Sequence, residues 1–257
     1  MKKSVLLAVV AGALVLGWHG ASMSEELNAE GLADMAKTYK YFFVLDSTEE
    51  GVLRYMYSDY ASHLHVYVVK NGRSELDWET ATLGSAITAL LVSDVTGDGR
   101  KEIWVSTARG RIIVYDEQNY DRMYENFIEP FQSISCMTTA NIDNDPEEEV
   151  IVIGDGRLNI YDGKNGALEW KSTATFAATE IILGNVDDDP QLEIILNSGT
   201  IIDSRFYTVE PYSLKSGSFG VRMKLLDMNG DGHPEIFSET TGFALKVYDV
   251  YGQRELW

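Results

Sequence analysis

Four nine-residue segments of this chain align without gaps, and that recurrence constrains the fold more than any other feature. They are Asp94-Val-Thr-Gly-Asp-Gly-Arg-Lys-Glu102, Asn141-Ile-Asp-Asn-Asp-Pro-Glu-Glu-Glu149, Asn185-Val-Asp-Asp-Asp-Pro-Gln-Leu-Glu193 and Asp227-Met-Asn-Gly-Asp-Gly-His-Pro-Glu235. Their starts are 47, 44 and 42 residues apart. A period of this size, with about four short β-rich runs per unit, is the sequence signature of β-propeller blades.

The flanks repeat as well. The loops follow apolar runs such as 86–92, 181–183 and 221–226 and precede others at 103–105, 150–153, 194–196 and 236–237, so each loop reads as the turn of a β-hairpin. Arg111-Ile-Ile-Val-Tyr-Asp116, Arg157-Leu-Asn-Ile-Tyr-Asp162 and Ala244-Leu-Lys-Val-Tyr-Asp249 then alternate as third strands with one buried face. A fourth, outer strand ends near Trp170 and near Trp257. The stretch before the first loop follows the same plan without its acidic residues: runs at 41–46, 52–58, 64–69 and 75–78, with a turn at 48–51. The expectation is therefore an all-β, five-bladed β-propeller of four-stranded blades over 38–257, with blades near 38–78, 79–128, 129–170, 171–216 and 217–257. A linear solenoid is the structural rival.

The loops have the chemistry of a hard-cation site. Calcium takes six to eight oxygens at flexible geometry, which a loop with side-chain oxygens at positions 1, 3 and 5, a carbonyl at 7 and a carboxylate beyond can supply. The side-chain sets are Asp94, Thr96, Asp98 and Glu102; Asn141, Asp143, Asp145 and Glu149; Asn185, Asp187, Asp189 and Glu193; Asp227, Asn229, Asp231 and Glu235. The carbonyls come from Arg100, Glu147, Gln191 and His233. Each loop crowds three carboxylates into one turn, a like-charge conflict that a divalent ion removes. Acidic turns are common for backbone reasons alone, but four in register, each with a carboxylate at position 9, are not. Pro146 and Pro190 replace the glycine of position 6, and proline cannot reach the positive φ available there to glycine. The lack of His or Cys side-chain ligands argues against zinc or copper at these loops.

These segments resemble the FG-GAP or VCBS repeats of integrin α-type propellers and of many secreted bacterial proteins, over about 220 residues. Asp227-Met-Asn-Gly-Asp-Gly232, with Phe219-Gly220 upstream, is the nearest match to that pattern; the other blades lack the Phe-Gly pair, and the family's usual Asp at position 9 is Glu here. The resemblance implies a calcium-stabilised propeller used in adhesion or ligand recognition. A second likeness, to quinoprotein-type blades, lies in Asp162-Gly-Lys-Asn-Gly-Ala-Leu-Glu-Trp170 and Asp249-Val-Tyr-Gly-Gln-Arg-Glu-Leu-Trp257. It implies that Trp170 and Trp257 pack between blades.

The chain has 257 residues and 45% apolar composition, enough for a sizeable core. Its net charge of -19 repels a phosphate backbone, so no nucleic-acid partner is expected. Residues 1–22 read as a signal peptide, with Lys2 and Lys3 before an apolar run at 5–18; uncleaved, the segment is an N-terminal anchor and the expected membrane link. The mature protein is then periplasmic or extracellular. Residues 23–37 read as a linker or short helix, with Ser22 and Glu25 as a capping box. Cys136 is the single cysteine, so an intrachain disulfide framework is ruled out.

No recognised catalytic motif appears, neither a Gly-x-Ser-x-Gly elbow nor a His-Glu-x-x-His helix. His63 and His65 alternate along one strand and so share a face, a pattern that fits an ordinary strand surface better than a metal pair. The expected function is a secreted calcium-binding module for a protein or glycan ligand. A lyase-like polysaccharide enzyme on a calcium-loaded propeller, or a periplasmic assembly scaffold, are the alternatives.

Overall fold

The computed structural model describes residues 29–47, 52–125, 130–143 and 145–257. The signal segment at 1–22, the capping box and the turn at 48–51 lie outside the described residues. The expected short helix is α1 (Ala29–Thr38), on which Lys37 pairs with Asp34 at 3.0 Å.

The described strands form five antiparallel sheets in which sequence neighbours pair throughout. The first holds β1 (Phe42–Ser47), β2 (Leu53–Ser58), β3 (Leu64–Lys70) and β4 (Arg73–Glu79). The second holds β5 (Ile87–Ser93), β6 (Glu102–Thr107), β7 (Ile112–Asp116) and β8 (Arg122–Glu125). The third holds β9 (Ile134–Ala140), β10 (Glu149–Gly154), β11 (Arg157–Asp162) and β12 (Leu168–Lys171). The fourth has β13 (Ile181–Gly184), β14 (Glu193–Leu196) and β15 (Ile201–Asp203), and the fifth β16 (Arg222–Leu226), β17 (Glu235–Glu239), β18 (Leu245–Asp249) and β19 (Arg254–Glu255). This is a propeller-like all-β fold. The fourth sheet departs from the expected four strands, because only an isolated bridge, Ile202 to Val209, stands where an outer strand would run.

Contacts divide the chain into two compact units, one ending at Ala86 and one spanning Ile87–Trp257. In the first, β2 and β3 bury Met56, Leu64 and Val66 completely. In the second, the first strands of successive sheets are neighbours: β5 against β9, β9 against β13, and β13 against β16. The second strands are buried on both faces, which is why 103–105, 150–153 and 194–196 are unbroken apolar runs instead of alternating ones. Trp104, Ile112 and Val114 pack against Ile134, Val150 and Tyr161 of the next sheet. Ile151, Ile153 and Ile160 likewise meet Ile181, Ile194 and Ile202, and Ile195 and Ile201 meet Met223 and Ile236. Each such side chain contributes roughly 1.5–3 kcal/mol by leaving water. Trp170 packs between sheets as expected, stacking on Tyr207 at 4.8 Å between ring centroids. Trp257 does not: it is 67% exposed.

Candidate metal centres

Every oxygen-rich loop joins the first strand of its sheet to the second, with the same register. The residue before position 1 pairs with the position-9 glutamate: Ser93 with Glu102, Ala140 with Glu149, Gly184 with Glu193 and Leu226 with Glu235. Each glutamate therefore opens a buried second strand, and none is more than 2% exposed. A charged group so placed needs partners. One partner is constant: Oε2 accepts the backbone N–H of position 2, from Val95 at 2.9 Å, Ile142 at 2.6 Å, Val186 at 2.8 Å and Met228 at 2.8 Å. Position 9 thus closes the loop as a latch before any ion is considered, a role the sequence reading did not assign.

Asx turns shape the rest of each loop. The position-7 amides of Arg100, Glu147, Gln191 and His233 donate to Oδ1 of Asp98, Asp145, Asp189 and Asp231 at 2.8–2.9 Å. Asp145, Asp189 and Asp231 donate their own amides to Asp143, Asp187 and Asn229. In the first loop Thr96 Oγ1 donates to Glu102 Oε1 at 3.0 Å instead.

The glycine and proline loops differ for a simple reason. In the first, Asp94 accepts the amides of Asp98 and Gly99; in the fourth, Asp227 accepts those of Gly230 and Gly232. Gly99 and Gly232 hold φ of 86° and 93°, open to glycine at little cost. Pro146 and Pro190 have no N–H to give. There position 1 is an asparagine, and Asn141 and Asn185 donate Nδ2 to the carbonyls of Asp145 and Asp189. The exchange of Asp for Asn at position 1 follows the loss of a donor at position 6.

Three loops bring their carboxylates together. Asp94, Asp98 and Glu102, then Asp143, Asp145 and Glu149, then Asp187, Asp189 and Glu193, each offer oxygens within 4.8 Å of one another. An ion about 2.4 Å from each ligand spans oxygens up to about 4.8 Å apart, so the spacing fits a hard cation. The fourth loop, nearest to the family pattern in sequence, does not form such a group; Asn229 Nδ2 lies between Asp231 Oδ2 at 2.9 Å and Glu235 Oε1 at 2.8 Å.

Electrostatics mark the third loop most strongly. Burial, followed by the charges of Asp187, Asp189 and Asp203, pushes Glu193 up to about 8. Burial also pushes Glu149 to about 7, with Asp143, Glu169 and Asp145 adding to it, and raises Glu102. Glu193 Oε1 is buried with no hydrogen-bond partner among the described residues. An unpartnered buried carboxylate oxygen beside two further carboxylates fits a metal ion. Asp203 is a residue the sequence reading missed: it ends a third strand of only three residues and pairs across the sheet with Glu193.

The loops also touch one another. The Glu148 amide donates to the Val95 carbonyl at 3.0 Å, and Ser93 Oγ donates to Glu148 Oε1 at 2.8 Å, joining the first loop to the second. Tyr251 OH donates to Asp188 Oδ2 at 3.0 Å and stacks on His233, whose Nε2 lies 3.4 Å from Asp188, joining the third to the fourth. Lys164 pairs with Glu147 and holds that carboxyl below its usual range.

No protein-family model and no curated protein matches this sequence. Solved structures do match in fold. The chain is similar to BBS1N in its complex with ARL6DN, at 15% identity and a TM-score of 0.59, covering 84% of this chain and 66% of that one. It is also similar to the V. cholerae biofilm matrix protein Bap1, at 18% identity and a TM-score of 0.55, covering 81% of this chain and 37% of that one. The chain thus spans less than two thirds of the length of these neighbours, and the likeness concerns the fold.

Proposed function

We propose that this chain is a secreted, calcium-stabilised five-bladed β-propeller that acts as an interaction module for a protein or glycan ligand. The observation that carries the reading is the buried, unpartnered Oε1 of Glu193 beside Asp187 and Asp189, repeated in outline by the carboxylates of the first and second loops. Calcium suits the donor set because it is all hard oxygen and because its flexible coordination geometry tolerates loops of different shape. Bound ions would offset most of the loops' negative charge and stiffen their contacts with one another. The resemblance to FG-GAP repeats points the same way, and so do the neighbours in fold, of which one is in a complex with another protein and another is a biofilm matrix protein.

The test is thermal unfolding in calcium and in chelator, followed by a pull-down from envelope extract under both conditions. The reading predicts a higher melting temperature in calcium and a partner retained only there. An unchanged melting temperature would remove calcium from the account; partner capture indifferent to calcium would separate stability from recognition.

A further inference from the structure

The first unit carries a cluster of different chemistry. Asp59 lies in the connection between β2 and β3, where its amide donates to the His63 carbonyl at 3.1 Å and its carbonyl accepts the Ser62 amide at 3.2 Å. Ser62 takes the left-handed φ of 64° that this tight turn requires. The turn aims Asp59 back at the strand. Its Oδ1 accepts the His63 amide at 2.8 Å, and its Oδ2 faces two imidazoles, His63 Nδ1 at 2.9 Å and His65 Nε2 at 3.2 Å.

His65 is held from every side. It sits on β3 between Tyr57 of β2 and Glu79 of β4, and its ring stacks on Tyr57 at 4.9 Å, which in turn packs on Tyr39 at 4.2 Å. Its Nδ1 is shielded from solvent and lies 3.4 Å from Glu79 Oε2. A neutral imidazole has one N–H: placed on Nε2 it donates to Asp59 and leaves the shielded Nδ1 without a hydrogen bond. With the proton on Nδ1 facing Glu79, the Nε2 lone pair points at a carboxylate oxygen that also offers only lone pairs. A cation between them resolves the conflict, and a carboxylate behind the other nitrogen is the usual outer support of a metal-bound histidine.

We propose that Asp59, His63 and His65 form a site for a divalent first-row transition ion such as zinc(II), with Glu79 as the positioning carboxylate behind His65. The ligand atoms already lie within 4.8 Å of one another. Tetrahedral ligands at about 2.0–2.1 Å stand roughly 3.4 Å apart, and the two carboxylate–imidazole distances, 2.9 and 3.2 Å, lie within a few tenths of an ångström of that spacing. Two imidazoles and one carboxylate suit such an ion and suit calcium poorly, which distinguishes this site from the oxygen-only loops. Asp59 and His63 remain partly open to solvent, leaving the fourth position for water or a ligand group.

The experiment is a zinc(II) titration of the full chain in saturating calcium, against a chromophoric competitor, with cobalt(II) absorption as a second readout. The site predicts one zinc equivalent that disappears in Asp59→Asn and in His65→Gln, while the calcium-dependent melting shift is retained. Glu79→Gln should weaken zinc by about 10–100-fold with stoichiometry kept. Unaltered zinc stoichiometry in both ligand variants would overturn the proposal. Should a variant fail to fold, the unaltered protein decides: intense cobalt bands of a four-coordinate site sustain it, and their absence overturns it.

Discussion

The Glu148 amide donates to the Val95 carbonyl at 3.0 Å, so the first oxygen-rich loop is bonded to the second backbone to backbone. The contact is close because Gly163 passes beside it: a Cβ there would stand 2.1 Å from the Glu148 carbonyl oxygen and 2.5 Å from Val95 Cγ1. Backbone cannot yield as a flexible side chain can. Gly163→Ala is therefore expected to separate the two loops and cost about 1–3 kcal/mol, an overpacking penalty. Calorimetry should show a melting temperature lower by several degrees; an unchanged value would mean that the contact is not maintained in solution.

Glu193 combines two roles that substitution can separate. Glutamine can still accept the Val186 amide while lacking the charge, whereas alanine leaves that buried amide unpaired. In chelator, Glu193→Gln should unfold at or above the temperature of the parent, and Glu193→Ala should lose about 1–3 kcal/mol. In calcium both should show a smaller rise than the parent. Equal calcium-induced shifts in all three proteins would exclude position 9 as a ligand.

Position 1 of the proline loops offers a reciprocal change. Asn185→Asp removes the donor to the Asp189 carbonyl and adds a carboxylate beside Asp187, Asp189 and Glu193. The chelated protein should lose about 1–3 kcal/mol for the orphaned carbonyl and the added repulsion. Calcium affinity should rise, because ligand charge strengthens calcium loops. Isothermal titration of the two proteins measures the difference.

The pH dependence has a definite sign. Glu149 and Glu193 are pushed from 4.5 to about 7 and about 8 by burial and by their acidic neighbours, so the folded ion-free protein holds their protons more tightly than the unfolded chain does. Their contribution is full below the unfolded value of about 4.5 and is lost as pH rises through about 7–8. The melting temperature in chelator should fall across that rise. In saturating calcium the slope should flatten, since the ion replaces the protons and their release on binding is measurable by calorimetry in two buffers. A chelated protein equally stable on both sides of this window would show that these glutamates titrate normally.

Much of the architecture can be read in the chain because the signals are local. The nine-residue loops fix hairpin spacing, and the runs beside them fix which strands are buried. Each glutamate starts a second strand at the same register, and its burial follows from that strand's being covered on both faces. The fourth sheet was harder to read: β15 has only three residues, and residues 204–216 hold one bridge where an outer strand was expected.

The sequence by itself determined the repeat, the antiparallel hairpins and the oxygen-rich composition of the loops, since spacing and alternation act over a few residues. Only the tertiary structure decided that the loop nearest the family pattern is the one whose carboxylates do not gather, that Trp257 faces solvent, and that Asp59 and Glu79 flank the histidines of β3. Those outcomes depend on which groups meet across strands and on how far water is excluded from them, and neither is encoded in the identity of any one segment.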